Sequence, residues 1–567
     1  MSADLERRLA RIFPFLPVLG VLGITVRLCW NLAKATDLSL ADEASYLTWG
    51  SRVLRQGVLP TFQWSPLYAA WYAAHLAVFG DPIVAYYAQL CSVVVLTSIL
   101  MYVYLRQIAV PTSLAFLATI LWIAQPAYIT VWWTIGLPRP YHFAFLVFLA
   151  GAIVIRRLKL DCPVPLILAG ASFLLLAMAV RSEYFVALLF FVGLVAASSR
   201  SRSQPLLPTV HGTYLWPACL LAGAATLVTG MYLKGQVPTE SRFLNISRSW
   251  YAFGQHFSVY YLSMANGGGK LDPWDDWELI VGQTFPQAHS VLGAALANPR
   301  AFLGFELHNL TTALHTVNSY ITAYVTMSPP YILLKVSVLY LTLLWLCFIT
   351  LTSVSVLRCA LFTSASTLGP YVLAGATTAI PGTLITSRIN YFLPLLFVFF
   401  VGAVKWLSVV LENKPAMYRS VGAALAVLLA LTFAATRSSF DSRMGAQRPM
   451  LLETSEIKAI LERQRVGGAR ILQNQGPGYS AFLPYGLSET VDPDDRRDTE
   501  RFWGFADRLH IEAMLVDDRL RSSRLYRNDP DFASFLASPA EFGWIAAPVG
   551  TRGDVFYLRG PKQNSLR

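Results

Sequence analysis

The chain has 567 residues, 55% of them hydrophobic and 14% charged, with a mean hydropathy of +0.48. That balance excludes a soluble protein with a polar surface and points to a polytopic membrane protein. The net charge of +12 does not mark a nucleic-acid binder, because much of the Arg and Lys lies in short loops between apolar runs, where it sets orientation in a membrane.

Arg7, Arg8 and Arg11 precede the first apolar run, about 12–33. This run is too long for a signal-peptide core and lacks a small-residue cleavage site, so it reads as a retained span with a cytoplasmic N-terminus. The next stretch, DLSLADEASYLTWGSRVLRQGVLPTFQWSPLY over 37–68, then lies outside and carries the adjacent acids Asp42 and Glu43. Two surface helices are predicted here, one starting near Asp42 and one after Pro66. The second has about fourteen apolar-rich residues, short for a span, and would hold Tyr68, Trp71 and Tyr72 at headgroup depth.

Spans at about 83–105, 141–158 and 184–198 end at Arg106, at Arg156, Arg157 and Lys159, and at Arg200 and Arg202. All three clusters are cytoplasmic if one span fills each intervening run. A span at 213–233 leads out to a long polar loop ending near 330; 331–357 returns, 363–380 exits, 390–410 returns and 419–435 exits. The expected fold is mainly α: a polytopic transmembrane helical bundle of about eleven spans over 1–435, with a small extracytoplasmic α/β domain over 436–567. In that domain ARILQNQ, EAMLVDD and DVFYLRG read as strands. The six cysteines lie in or beside apolar runs without C-x-x-C spacing, so neither a disulfide framework nor a structural zinc is implied.

Several residues stand out as chemistry-bearing. Ser39-Leu40-Ala41-Asp42 has the spacing of a helix cap with an acid at the third helical position, and a cap and an outward-facing carboxylate are compatible roles for Asp42. Glu43 points about 100° away on a helix, so spacing alone makes no shared-proton dyad, and Glu43 also suits a helix-start charge. Tyr46, four residues on, shares the Asp42 face and equally suits an interfacial tyrosine belt. Arg181, in AVRSEYF, and Arg388, in SRINYFLPLL, stand at outer span ends against the positive-inside bias, which favours contact with a lipid phosphate over snorkelling. Glu183 is spaced to pair with Arg181. His256 is a lone histidine among aromatics, read as a structural residue or as an acceptor-side hydrogen-bonding group. No partner stands at ligand spacing, so no metal is assigned and a divalent cofactor is unsupported. In KLDPWDDWELI, Trp274 and Trp277 alternate with acids, a pattern read first as a bilayer interface and second as a platform for sugar rings.

The ordered set DEASY, SPLYAAWY, WYAFGQHF and SRINYFLPLL resembles the GT-C glycosyltransferases, specifically the lipid-linked-sugar branch that includes the aminoarabinose transferases of lipid A and the protein O-mannosyltransferases. With the topology, these motifs cover most of the membrane portion. The resemblance implies a GT-C-like fold in a cell membrane, as in a bacterial inner membrane. It implies inverting transfer of a sugar from an undecaprenyl- or dolichyl-type phosphate to a lipid, glycan or protein acceptor at the outer face. Asp42 carries over as general base with Glu43 beside it, and Tyr46, Arg181, Arg388, Tyr391 and His256 fall on the substrate side. The chain departs from the family at Tyr141 and His142, where relatives have an Asp, at Arg181, where they have a Lys, and at Trp64-Ser65, where a charge often precedes the Pro. The chemistry asks only for a base at the acceptor hydroxyl and cations at the phosphate, since a sugar phosphate leaves readily without a general acid. The competing classes are a transporter or flippase of lipid-linked glycans and a glycan polymerase. A transporter would show inverted repeats and mid-membrane charges, and neither is evident; a polymerase would show a long outer loop rich in Arg and His.

Overall fold

The computed structural model describes residues 16–35, 37–40, 42–61, 64–124, 140–157, 163–202, 215–234, 248–264, 271–326 apart from 275, 368–385, 389–412, and 448–560 apart from 465–466, 475–477, 498, 524 and 551–552. In chain order the helices are α1 (Leu16–Ala35), α2 (Asp42–Gln56), α3 (Pro66–Phe79), α4 (Pro82–Gln107), α5 (Thr112–Ala124), α6 (Pro140–Arg157), α7 (Pro163–Met178), α8 (Tyr184–Arg202), α9 (Leu215–Lys234), α10 (Arg248–Met264), α11 (Trp277–Thr284), α12 (Val291–Ala297) and α13 (Pro299–Thr326). They continue with α14 (Leu368–Ala376), α15 (Ala379–Ile385), α16 (Leu393–Glu412), α17 (Pro449–Arg463), α18 (Phe502–Arg508), α19 (Asp518–Ser522) and α20 (Pro530–Ala537). Many open on proline, whose fixed φ suits the first helical position and whose missing N–H is not needed there. Both helices expected after the first apolar run are present, as α2 and α3. Gly80, at φ 71°, ends α3 and returns its N–H to the Leu76 carbonyl.

Pro82–Gln107, Pro140–Arg157 and Leu215–Leu233 are long and apolar enough to cross a membrane, and shorter apolar helices lie at Pro17–Arg27, Pro163–Met178, Tyr184–Ala197 and Leu393–Lys405. The chain is therefore a mainly helical membrane protein. The spans expected at 331–357 and 419–435, the basic N-terminus and the boundary at 435/436 lie outside the described residues.

The chain divides into two compact units, each built from three stretches. The first comprises Met1–Ala35, Leu90–Leu233 and Glu306–Gly445. In it α7 packs between α6 and α8, and α14 lies against α8 and α16. The close approach of α14 to α6 relies on Gly375, where a Cβ would meet the Phe148 ring at 2.4 Å. Phe148 also stacks on Tyr371 at 4.9 Å.

The second unit comprises Thr36–Gln89, Lys234–Phe305 and Ala446–Arg567. Its C-terminal part is a five-stranded mixed sheet of order β2-β1-β3-β5-β4, with β1 Ala469–Leu472, β2 Ser488–Val491, β3 Ala513–Val516, β4 Trp544–Val549 and β5 Asp554–Arg559. β1 runs parallel to β2 and β3, and β5 is antiparallel to both β3 and β4. The three predicted strands are β1, β3 and β5. Phe502, Phe505, Phe532 and Phe535 from α18 and α20 cover the sheet with Met514 and Trp544 in one core. A second core holds α10 to the start of α13 through Trp250, Phe253, Phe257, Trp277, Phe285 and Phe305.

Candidate active site

Helix α2 buries Glu43, Tyr46, Leu47 and Gly50, the i, i+3, i+4, i+7 stripe by which a helix faces its neighbour. A carboxylate thus occupies an inward position. Gly50 makes this possible, because a Cβ there would fall 2.5 Å from the Cβ of Tyr72 and 3.1 Å from the backbone N of Ala73. With no side chain at Gly50, α2 crosses α3 closely enough for Glu43 to reach the tyrosines of α3.

Glu43 is 0% exposed. The Tyr72 hydroxyl donates to its Oε2 at 2.7 Å and the Tyr68 hydroxyl at 3.1 Å. Gln89, on α4, donates through Nε2 to the Tyr72 oxygen at 3.0 Å and offers Oε1 to Tyr68 at 3.2 Å. Burial first, and then the negative charge of Glu43, push the Tyr68 and Tyr72 phenols well above the usual tyrosine range. Both therefore remain hydrogen donors at neutral pH and meet the demand of a buried carboxylate for partners.

Around this network Tyr46 packs edge-on to Tyr68 at 5.1 Å and to Trp64 at 6.5 Å. Tyr46, Tyr68 and Tyr72 are all buried, so their rings meet protein and do not face lipid as belt residues would. Asp42 opens α2, so the expected third helical position is corrected to the first, and Asp42 is half-buried beside the enclosed Glu43. The two carboxylates are thus unequal. Glu43 is fixed inside the tyrosine cage, whereas Asp42 stands at the helix N-terminus, where its negative charge is favoured.

The C-terminal domain reaches the same helix. The short turn Gly478–Phe482 packs on α2, and Phe482 meets Tyr86 edge-on at 5.3 Å. The Arg55 guanidinium lies 4.1 Å over the Tyr485 ring, whose hydroxyl accepts from Gln56 Nε2 at 3.4 Å. Burial lowers the Arg52 pKa against an opposing pull from Glu489. Asp37, just before α2, accepts from the backbone N–H groups of Met450 and Leu451, each at 2.9 Å. It thereby caps α17, whose own N-cap Arg448 supplies no side-chain bond.

Arg181 and Tyr391 come together in the first unit. The Arg181 guanidinium sits 4.0 Å over the Tyr141 ring and 5.8 Å from that of Tyr391, and the two rings are 4.7 Å apart. Glu183 pairs with Arg181, accepting from Nε at 3.1 Å. Arg388 lies outside the described residues. In the second unit His256 meets Trp274 edge-on at 5.8 Å. Trp277 is core, its ring filling the space beside Gly254, so the sugar-platform reading of that pair is corrected to the half-exposed Trp274 alone. Among the described residues no group of three or more His, Cys, Asp or Glu is arranged to hold a metal ion.

Gln89 and Asp37 were not singled out from the sequence, and Tyr68 and Tyr72 were read there as headgroup-depth rings and not as site residues. The available signal was the four-residue spacing of Tyr68 and Tyr72, which puts both on one helical face.

Fold and site together define a mainly helical membrane protein with a small mixed-sheet domain and an acid–tyrosine cluster. No family model matches the chain and no curated protein is similar to it. Among solved structures, the oligosaccharyltransferase of Archaeoglobus fulgidus in its apo form is similar at a TM-score of 0.40 and 12% identity, over 98% of this chain and 75% of that one. The same enzyme with Zn and sulfate is similar at 0.40 and 11%, over 95% and 74%. The archaeal oligosaccharyltransferase AglB from that organism, in complex with an inhibitory peptide and a dolichol-phosphate, is similar at 0.38 and 11%, over 96% and 75%.

Proposed function

We propose that the chain is a membrane glycosyltransferase that transfers a sugar from a polyprenyl-phosphate donor to a hydroxyl of a lipid, glycan or protein acceptor at the outer face of a cell membrane, with inversion. The observation that supports this most is the inequality of the two acids at the start of α2. Glu43 is caged by Tyr68 and Tyr72 and holds the helix start in place. Asp42, beside it, removes the acceptor proton. The acceptor oxygen attacks the anomeric carbon as the bond from that carbon to the phosphate oxygen breaks, and the polyprenyl phosphate leaves as an anion. Arg181, backed by Glu183 and the Tyr141 and Tyr391 rings, and Arg388 at the head of the same motif as Tyr391, are the cations assigned to that phosphate. His256 is assigned to the acceptor side.

The test is transfer of labelled sugar from a purified polyprenyl-phosphate donor by the full chain in nanodiscs, with mass spectrometry of envelope lipids and glycans identifying the acceptor. Asp42→Asn keeps the size of the side chain and an oxygen at the helix start. Its turnover falls ~10²–10⁴-fold with folding and donor binding unchanged, the loss expected for a general base. Near-normal turnover moves the base to another residue.

A further inference from the structure

Helix α12 is built inside out. Its buried residue is Ala294, at 0% exposure, while Leu292 and Leu296, four residues apart on one face, are 71% and 75% exposed. Its neighbours repeat the pattern: Leu279 on α11 is turned outward, and at the start of α13 Leu303 is 65% exposed while Phe305 is 1% exposed. These leucines lie outside the buried core of the same segment, which is built instead from Phe253, Phe257, Ile280, Phe285, Ala294 and Phe305. A water-facing helix puts its large apolar residues inward and its small or polar ones outward.

Charge tells the same story. Between Leu279 and Phe305 the single charged side chain is the exposed Arg300, where an average soluble stretch would carry about a quarter charged residues. The backbone is unusually self-sufficient. Ser290 caps α12 by accepting from Gly293 N at 3.0 Å, Asn298 accepts from Ala301 N at 3.1 Å, and the N–H groups of Phe285 and Asn298 close the preceding helices. Closed helix ends are what a segment at the edge of hydrocarbon requires, because water is scarce there.

We propose that the outward face of α12 carrying Leu292 and Leu296, flanked by the exposed Leu279 and Leu303, is seated in the lipid interface of the bilayer, with Arg300 at the level of the lipid phosphates. At seven residues, α12 is about 10 Å long and cannot span; it lies in the plane of the interface and anchors the α10–α13 module to the membrane. A protein-docking surface would be built differently, since its anchors are enriched in Trp, Tyr and Arg and poor in Leu.

The experiment places an environment-sensitive fluorescent amino acid at Leu292 or Leu296 of the full chain in nanodiscs, with and without nitroxide-bearing lipid. Reference probes sit at Leu233, an exposed end of the membrane-length helix α9, and at Ile545, exposed on strand β4. Quenching by the lipid nitroxide at 292 and 296 is expected to match that at Leu233 and to exceed that at Ile545 severalfold, with shallow nitroxides acting more strongly than deep ones. Probes open to aqueous iodide but untouched by lipid nitroxide, as at Ile545, would overturn the proposal. So would probes shielded from both quenchers, which would reveal a protein partner on this face.

Discussion

Replacing Glu43 by leucine strands the hydrogen of the Tyr72 hydroxyl in a fully buried site, whereas Tyr68 still has Gln89 to bond. The expected cost is about 1–3 kcal/mol, the penalty of a buried unsatisfied donor. Glu43→Gln keeps an acceptor oxygen and loses less, so thermal denaturation of the two variants should rank wild type, Gln, Leu. A Tyr72→Phe variant adds a pH signature. The Tyr72 phenol is raised in the folded protein, so its contribution is fully present below about 10, the unfolded value. It is lost as pH climbs toward the folded value, because the unfolded chain releases its proton first. The stability gap between wild type and Tyr72→Phe is therefore flat at neutral pH and narrows in alkaline melts; a gap that widens there contradicts this assignment. That Asp42 and Glu43 start a helix was legible in the sequence, but which of them is enclosed was not. The answer lies in the crossing of α2 on α3, and a tyrosine pair at four-residue spacing does not by itself reveal what faces it.

That crossing can be opened at one position. Gly50→Leu puts a side chain where the backbone and Cβ of α3 already lie, so the helices must separate and Glu43 must draw away from the tyrosines. Transfer activity should fall at least as far as in Glu43→Gln although residue 50 carries no reactive group, and Gly50→Ala should show a smaller loss of the same kind. Wild-type activity in Gly50→Leu would show that the close crossing is not needed. Among the strands the sequence revealed the interior ones. β1, β3 and β5 carry largely unbroken apolar runs, with β3 buried at every position, as expected for strands covered on both faces. The two missed strands are the sheet edges. β2 is a four-residue SETV, and β4 contains two alanines and Pro548, a composition tolerated at an edge and poor in strand signal.

At the scale of the molecule, we propose from the arginine and lysine pattern that the N-terminus and Arg200 face the cytoplasm and that residue 270 and the C-terminus face outside. Impermeant thiol labelling of cysteines introduced at those sites should react at the latter pair in intact cells and at the former only after lysis. A labelled C-terminus confined to the cytoplasm overturns this orientation. The long apolar helices at Pro82–Gln107, Pro140–Arg157 and Leu215–Leu233 were legible because hydropathy is a local property; the assembly of one unit from three distant stretches was not. The bond of Asp37 to the start of α17 is the sharpest instance of that assembly, and Asp37→Ala should lower stability by ~0.5–2 kcal/mol, the value of a lost cap. Its consequence reaches into biosynthesis. Asp37 and Met450 are 413 residues apart, so at ordinary translation rates of about 5–20 residues per second the first waits roughly 20–80 s for the second. During that interval α2 is already made, yet the turn that packs on it and the helix that Asp37 caps do not exist. A nascent chain therefore carries its acids without their final support, and a ribosome that stops early leaves a protein that can enter the membrane but in which the segment from Asp37 to α2 never closes.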